Sequence, residues 1–175
     1  MTEKQEKILN AALELFAEEG YRSTSTSKVA KRARVSEGLI FRHFENKEGL
    51  LEAILQAGEE KAKSLFADIV LETDPKEVIR KTLEMGLAMR SNHSAIAFWK
   101  LQYKIKWELE KYGEHKMEPL AVALENAFSK LGYDQPELEA QLLLTLLDGL
   151  ATRLFLQAHF DLESITTFIK KKYDL

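Results

Sequence analysis

Apolar residues recur at intervals of three and four along almost the whole of this chain, and that period restricts its fold more than any other feature. Three prolines and eight glycines punctuate 175 residues, so there are few places where a regular element must stop. No segment alternates in the way a strand requires. The first helix is expected from Lys4 to Glu19, with Ile8, Ala12, Leu15 and Phe16 on one stripe and Gly20 as its stop. The hydroxyls of residues 23–26 can cap a short second helix to Ala33, Ser36 a third from Glu37 to Phe44, and Asn46 a fourth running past Leu65 toward Leu71. Asp74-Pro75 opens the fifth. The sixth is expected over Ser94–Tyr112, the seventh over Pro119–Leu131 and the eighth over Pro136–His159. Asp161 caps the ninth, where Leu162, Ile165, Phe168 and Ile169 form a stripe and Lys170, Lys171 and Lys172 meet the negative end of the helix dipole. The expectation is an all-α protein of about nine helices.

Charge is distributed unevenly along these elements. Between residues 22 and 47, Arg22, Lys28, Lys31, Arg32, Arg34, Arg42 and Lys47 face only Glu37 and Glu45, a local balance of +5. The whole chain carries −3, so the remainder stands at −8. A chain that repels polyanions everywhere except at one short segment fits a localised nucleic-acid surface, because phosphate neutralisation is the main sequence-independent source of such affinity.

Other classes are disfavoured by what is missing from the sequence. The absence of cysteine excludes disulfides, thiolate metal sites and cysteine nucleophiles, and fits a reducing cytoplasm. His43, His93, His115 and His159 never fall at the helical spacing that offers two imidazoles to one ion, so neither a metal nor another cofactor is expected. The polar opening "MTEKQEKILN" is no signal peptide, and no apolar run approaches the ~20 residues that span a bilayer. Neither a glycine-rich phosphate loop nor a Gly-x-Ser-x-Gly elbow occurs, and no enzyme is expected.

Two short helices joined by a tight turn, the second carrying polar and basic residues, match the helix-turn-helix pattern, although an ordinary helical hairpin with a solvated face would read the same way. The segment "GYRSTSTSKVAKRARVSEGLIFRHFENKEGL", residues 20–50, resembles the signature of TetR-family transcriptional regulators. The resemblance is carried by Gly20-Tyr21, Thr24, Val29-Ala30, Val35-Ser36, Gly38, Phe41, His43-Phe44 and Lys47-Glu48, and extends upstream through "ILNAALELFAEEG". It departs from the family at two positions. Arg34 stands where the family has glycine, which would strain the backbone by ~1–3 kcal/mol if its φ is positive. Phe41 replaces the usual tyrosine and lacks its hydroxyl.

The resemblance implies a homodimeric regulator whose residues 1–50 bind a double-stranded DNA operator and whose residues 51–175 bind a small-molecule effector and dimerise. Ser25, Thr26, Lys28, Arg42, His43 and Lys47 resemble positions beside the DNA backbone, with Arg34 and the Phe41 ring as further candidates. Base reading falls to Ser36, Glu37, Leu39 and Arg42, with Gly38 permitting close approach. Glu37 could accept from a cytosine amino group, or serve only the helix dipole. Leu39 could meet a thymine methyl, or lie at the rim of the core. Val29, Ala33, Val35, Ile40 and Phe44 are expected to close a three-helix core.

In the C-terminal part, "QLLLTLLDGLATRLFLQAHF" is apolar on nearly every face, so one side of the eighth helix should meet the protomer's core and the other a partner, the alternative being a helix buried wholly in a monomer's core. Leu143, Leu147, Leu150, Leu154, Ile165 and Ile169 are the candidate dimer contacts, with Gly149 and Ala151 permitting close approach. "FWKLQYKIKWELEKY" places Trp99, Tyr103 and Trp107 on one helical face and Leu101, Ile105 and Leu109 on another. These aromatics are either core or, with Met85, Met89, Phe128, His93 and Arg153, the lining of an apolar effector pocket. The reading is a ligand-responsive repressor released from an inverted-repeat operator by an apolar or aromatic effector. Its rivals are a DNA-binding protein of the same fold with a non-transcriptional role and an all-helical small-molecule carrier or enzyme.

Overall fold

The computed structural model describes residues 1–90, 92–109 and 117–175, apart from the side chains of residues 61, 62, 65 and 89. The described residues form nine helices and no strand: α1 (Glu3–Glu19), α2 (Thr26–Ala33), α3 (Glu37–Phe44), α4 (Lys47–Val70), α5 (Pro75–Arg90), α6 (His93–Glu108), α7 (Glu118–Lys130), α8 (Pro136–Leu156) and α9 (Leu162–Lys172). Most of the expected starts are realised by side-chain caps, whereas Ser36 precedes α3 without a side-chain cap bond, its extended backbone alone marking the start. Ser25 accepts from the Lys28 N–H at 3.2 Å, Asn46 from Gly49 at 2.8 Å, Asp74 from Lys76 at 2.9 Å and Asp161 from Ser164 at 3.0 Å. Three ends differ from expectation. Helix α6 closes at Glu108, with the Leu109 N–H on the Ile105 carbonyl, and residues 110–112 of the stretch expected to reach Tyr112 lie outside the described residues. Asn92 caps α6 through the Ala95 N–H at 3.1 Å and so starts that helix at His93. The eighth helix stops at Leu156 rather than His159, because Gln157 turns extended before the cap of α9.

The chain divides into two compact units, Met1–Ala62 with Asn92–Tyr112, and Lys63–Ser91 with Gly113–Leu175. The packing therefore does not follow the expected division at residue 50. The boundary falls inside the continuous α4, and α6 joins the N-terminal helices. The reason lies in the buried stripe of α6. Ala97, Leu101 and Ile105 share one core with Ile8, Ala12, Leu15 and Phe16 of α1, Val29 and Ala33 of α2, Ile40 of α3 and Leu50, Leu51 and Ile54 of α4. Polar ties reinforce that packing: Lys104 of α6 donates to the Glu18 carbonyl at 2.7 Å, supplying the cation that the last turn of α1 lacks.

In the second unit, Ile69 of α4 packs with Val78, Ile79, Leu83 and Met85 of α5, Leu120, Leu124 and Phe128 of α7, Leu143 and Leu150 of α8, and Leu162 and Ile169 of α9. Phe128 sits against the rings of Tyr133 and Tyr173 at 5.1 and 5.5 Å. The Tyr173 hydroxyl donates to Glu139 at 3.2 Å, and burial, followed by the Glu139 charge, pushes its pKa up to about 12. Among the described residues, no helix is long and apolar enough to cross a membrane, and no cluster of three metal-ligating side chains occurs.

Candidate nucleic-acid interface

The basic segment folds into α2, a three-residue turn and α3. Alternate faces of the two helices hold it in place: Val29, Ala33 and Ile40 are buried, while Val35, Leu39 and Phe44 pack partly buried against the same core. The expected core of this segment is therefore present. Thr24 fixes the approach to α2 by donating from a buried position to the Gly20 carbonyl at 2.8 Å. Gly20 itself ends α1 at φ 96°, a left-handed conformation that a side chain resists.

The turn between the helices explains the departure at Arg34. Its φ is 56° and ψ 46°, the left-handed region in which glycine is normally found. The Val35 N–H reaches back to the Ala30 carbonyl at 3.0 Å and the Arg34 N–H to Lys31 at 3.3 Å, which together close the end of α2 as a Schellman motif. Arginine therefore adopts the backbone that the turn requires and bears a cost of ~1–2 kcal/mol for its Cβ. The exit from α3 is equally tight. The Asn46 N–H reaches the Phe44 carbonyl at 2.6 Å across Glu45, whose φ is 64°. A Cβ on Gly49 would lie 2.2 Å from the Phe44 carbonyl oxygen, so only glycine fits where α4 passes α3.

These constraints leave Ser25, Lys28, Lys31, Arg34, Ser36, Gly38, Phe41 and Arg42 exposed, and Thr26, Glu37, Leu39, His43 and Lys47 half-buried. The Phe41 ring is 46% exposed despite its size. Several candidates already have partners in the free protein. Lys28 pairs with Glu19 at 2.5 Å, and Arg32 with Glu14 at 3.1 Å. The Thr26 hydroxyl donates to Glu37 Oε1 at 2.6 Å. His43 Nδ1 lies 3.4 Å from the Gln5 amide nitrogen at the start of α1. Lys31, Arg34 and Arg42 have no ion pair among the described residues; Lys31, counted in the basic cluster but not among the expected contacts, joins the available cations.

Lys47 requires a different explanation from the one its sequence position suggests. A cation opposes the dipole at the start of α4, and the sequence reading assigns a phosphate to offset that. In the structure its Nζ lies 4.5 Å over the Tyr21 ring and donates to the Arg22 carbonyl at 3.3 Å. Burial draws its pKa down, and Glu108 pushes the other way. Glu108 in turn accepts from the Arg22 N–H at 3.0 Å, so Lys47 stands in an internal network that needs no phosphate.

The effector candidates divide between the units: His93, Trp99, Tyr103 and Trp107 lie in the first, and Met85, Phe128 and Arg153 in the second. The Met89 side chain lies outside the described residues. Trp107 is 84% exposed, because the buried stripe of α6 is the opposite one. Met85 and Phe128 are core residues, His93 is exposed, and Arg153 lies over the Phe160 ring at 5.9 Å. A groove of about 450 Å³ in the first unit is lined by Met1, Gln5, Leu9, Phe44, Ala53, Gln56, Ala57 and Glu60, none of them an effector candidate.

The dimer candidates lie at different depths in the protomer. Leu143, Leu150 and Ile169 are buried inside their own unit, and Leu147, Leu154 and Ile165 are partly buried against the same core. The apolar side chains that α8 and α9 leave in solvent are Leu138, Leu142, Leu156 and Phe168, with Gly149 on the same open side of α8.

Residues 8–54 match the family model for bacterial regulatory proteins of the tetR family. The chain is 36% identical over 89 residues to YvkB of Bacillus subtilis (strain 168), an uncharacterized HTH-type transcriptional regulator. That match covers 51% of this chain and 44% of the relative, so it spans less than half of that protein's length. A TetR-like transcriptional regulator from Rhodococcus sp. RHA1 superposes with a TM-score of 0.80 at 18% identity, covering 96% of this chain and 92% of that one. The transcriptional regulator FadR from Bacillus subtilis in complex with stearoyl-CoA superposes with a TM-score of 0.71 at 21% identity, over 95% of each chain. At those identities the structural likeness is one of fold.

Proposed function

We propose, from the match of residues 8–54 to the family model for bacterial regulatory proteins of the tetR family, that the chain is a ligand-responsive transcriptional repressor that binds an inverted-repeat operator as a homodimer. The observation that carries this reading is the exposure of Lys31, Arg34 and Arg42, with Ser25, Ser36 and Gly38, on the helix-turn-helix within segment 22–47, whose net charge is +5 in a chain otherwise at −8. Cations and helix-start hydroxyls on such a face bind phosphates and fix register, while α3 meets base edges in the major groove. A two-fold dimer presents two such helices, which is why the operator is expected to be an inverted repeat. Exposed Leu142, Leu156 and Phe168 on α8 and α9 support the dimer, because large apolar side chains left in water can be covered by a partner.

The FadR structure was obtained with stearoyl-CoA, a ligand with a long apolar acyl chain, which supports an effector with an apolar part for this chain as well. An effector releases DNA only by favouring an arrangement that binds DNA less well, and a coupling of ~1–3 kcal/mol lowers operator affinity by roughly 5- to 150-fold. Helix α4, with residues in both units, is the covalent path for that coupling. Selection of bound duplexes from a random pool tests the reading: an inverted repeat is expected, and a pool that stays random overturns it.

A further inference from the structure

Glu37 is an unexpected side chain on a surface that must meet phosphates. Its carboxylate adds negative charge where the chain otherwise collects positive charge, and among the described residues no cation pairs with it. Its partner is Thr26, whose hydroxyl donates to Oε1 at 2.6 Å. The two residues are eleven apart in sequence and each begins a helix, Thr26 the N-terminus of α2 and Glu37 that of α3. Packing of Val29, Ala33 and Ile40 fixes those helix starts relative to each other, so the bond is held by the fold of the motif and not by a loop.

A threonine hydroxyl has one proton to donate. Once that proton is on Glu37, Thr26 has only lone pairs left, and a phosphate oxygen is itself an acceptor. The same hydroxyl therefore cannot orient Glu37 and hold the DNA backbone at once. Glu37 gains a fixed side-chain conformation before DNA arrives, which removes part of the ordering cost of binding, and it keeps Oε2 as its free oxygen. Beside it, a Cβ on Gly38 would have nothing within 4 Å, so the backbone next to Glu37 is open to a base edge.

Resting on the DNA-binding reading above, we propose that Thr26 is a positioning residue for base recognition and that the Thr26–Glu37 pair sets the preference at one base pair of each half-site. A fixed pure acceptor takes a hydrogen bond from an exocyclic amino group, cytosine N4 foremost. It also repels guanine O6 and N7 and thymine O4, so the pair selects as much by rejection as by attraction.

The test is selection from a random duplex pool with the whole protein and the variants Thr26→Val, Thr26→Ala, Thr26→Ser, Glu37→Ala and the double variant Thr26→Val/Glu37→Ala. Thermal melts confirm that each is folded, and the alanine variant serves should the valine not fold. The wild type is expected to select a motif with an amino-bearing base at one position per half-site. Loss of the hydroxyl should reduce discrimination at that position by ~5-fold or more and leave the other positions intact. Serine should retain the preference, and the double variant should match Glu37→Ala. Two outcomes overturn the proposal while sparing the DNA-binding reading: Thr26→Val and Thr26→Ala weaken all sequences alike with the preference intact, or Glu37→Ala leaves every preference unchanged. A wild type that selects no motif overturns both.

Discussion

Arg34 shows how a single residue links backbone geometry to binding. Its left-handed backbone closes α2, and the side chain that causes the strain is also a cation with no ion pair among the described residues, on the face assigned to DNA. Arg34→Gly is expected to raise thermal stability by about 1 kcal/mol by removing the Cβ cost. The same change should weaken binding to all duplexes alike and reduce the salt dependence by about one phosphate per protomer. A melt and a pair of titrations on unrelated duplexes check both, and unchanged affinity would remove Arg34 from the interface. This residue was legible in advance, because a glycine position in a recognisable turn implies the sign of φ. The Thr26–Glu37 bond was not: it joins side chains from two helices, and no local spacing encodes it. The internal partners of Lys47 were not legible for a related reason, since Tyr21 and Arg22 are brought to it by packing of the first unit.

At the scale of elements, most helix starts were readable from their caps, those of α3 and α6 excepted, whereas the orientation of α8 was not. Every face of that helix reads apolar, so the sequence contains no contrast from which to choose an inner side. Packing chose Ala140, Leu143 and Leu150. It follows that Leu150→Glu places a charge in the core of the unit and is expected to unfold it, with a loss of several kcal/mol. Leu142→Glu and Phe168→Glu alter exposed positions, so each should leave the melting temperature of the protomer nearly unchanged while light scattering reports a monomer. A dimer that survives both substitutions would place the interface elsewhere. The docking of α9 carries its own signature in alkali. The pKa of Tyr173 is raised to about 12 from an ordinary value of 10.0 by burial first and Glu139 second, so the neutral phenol stabilises the fold below pH 10 and that contribution is lost as pH rises toward 12. Equilibrium unfolding should therefore show a stability that declines across that window, and Tyr173→Phe should remove the decline attributable to this group.

For the whole molecule, the fold class followed from helical periodicity, but the allocation of helices to units did not. Helix α6 lies some eighty residues beyond α1 in sequence, and its Leu101 and Ile105 share a core with Ile8 and Phe16. That long-range choice turned Trp107 outward and removed it from the apolar interior expected for it. The function proposed rests instead on charge, because an acidic chain has concentrated an exposed basic face on a helix-turn-helix. The measurement that tests this most directly is the affinity of the intact protein for a duplex selected from a random pool, titrated against salt concentration. Release of counterions predicts that the logarithm of the affinity falls linearly with the logarithm of salt, with a slope of about −0.9 for each phosphate neutralised and several phosphates per protomer. A flat response, with no duplex preferred over another, would contradict it.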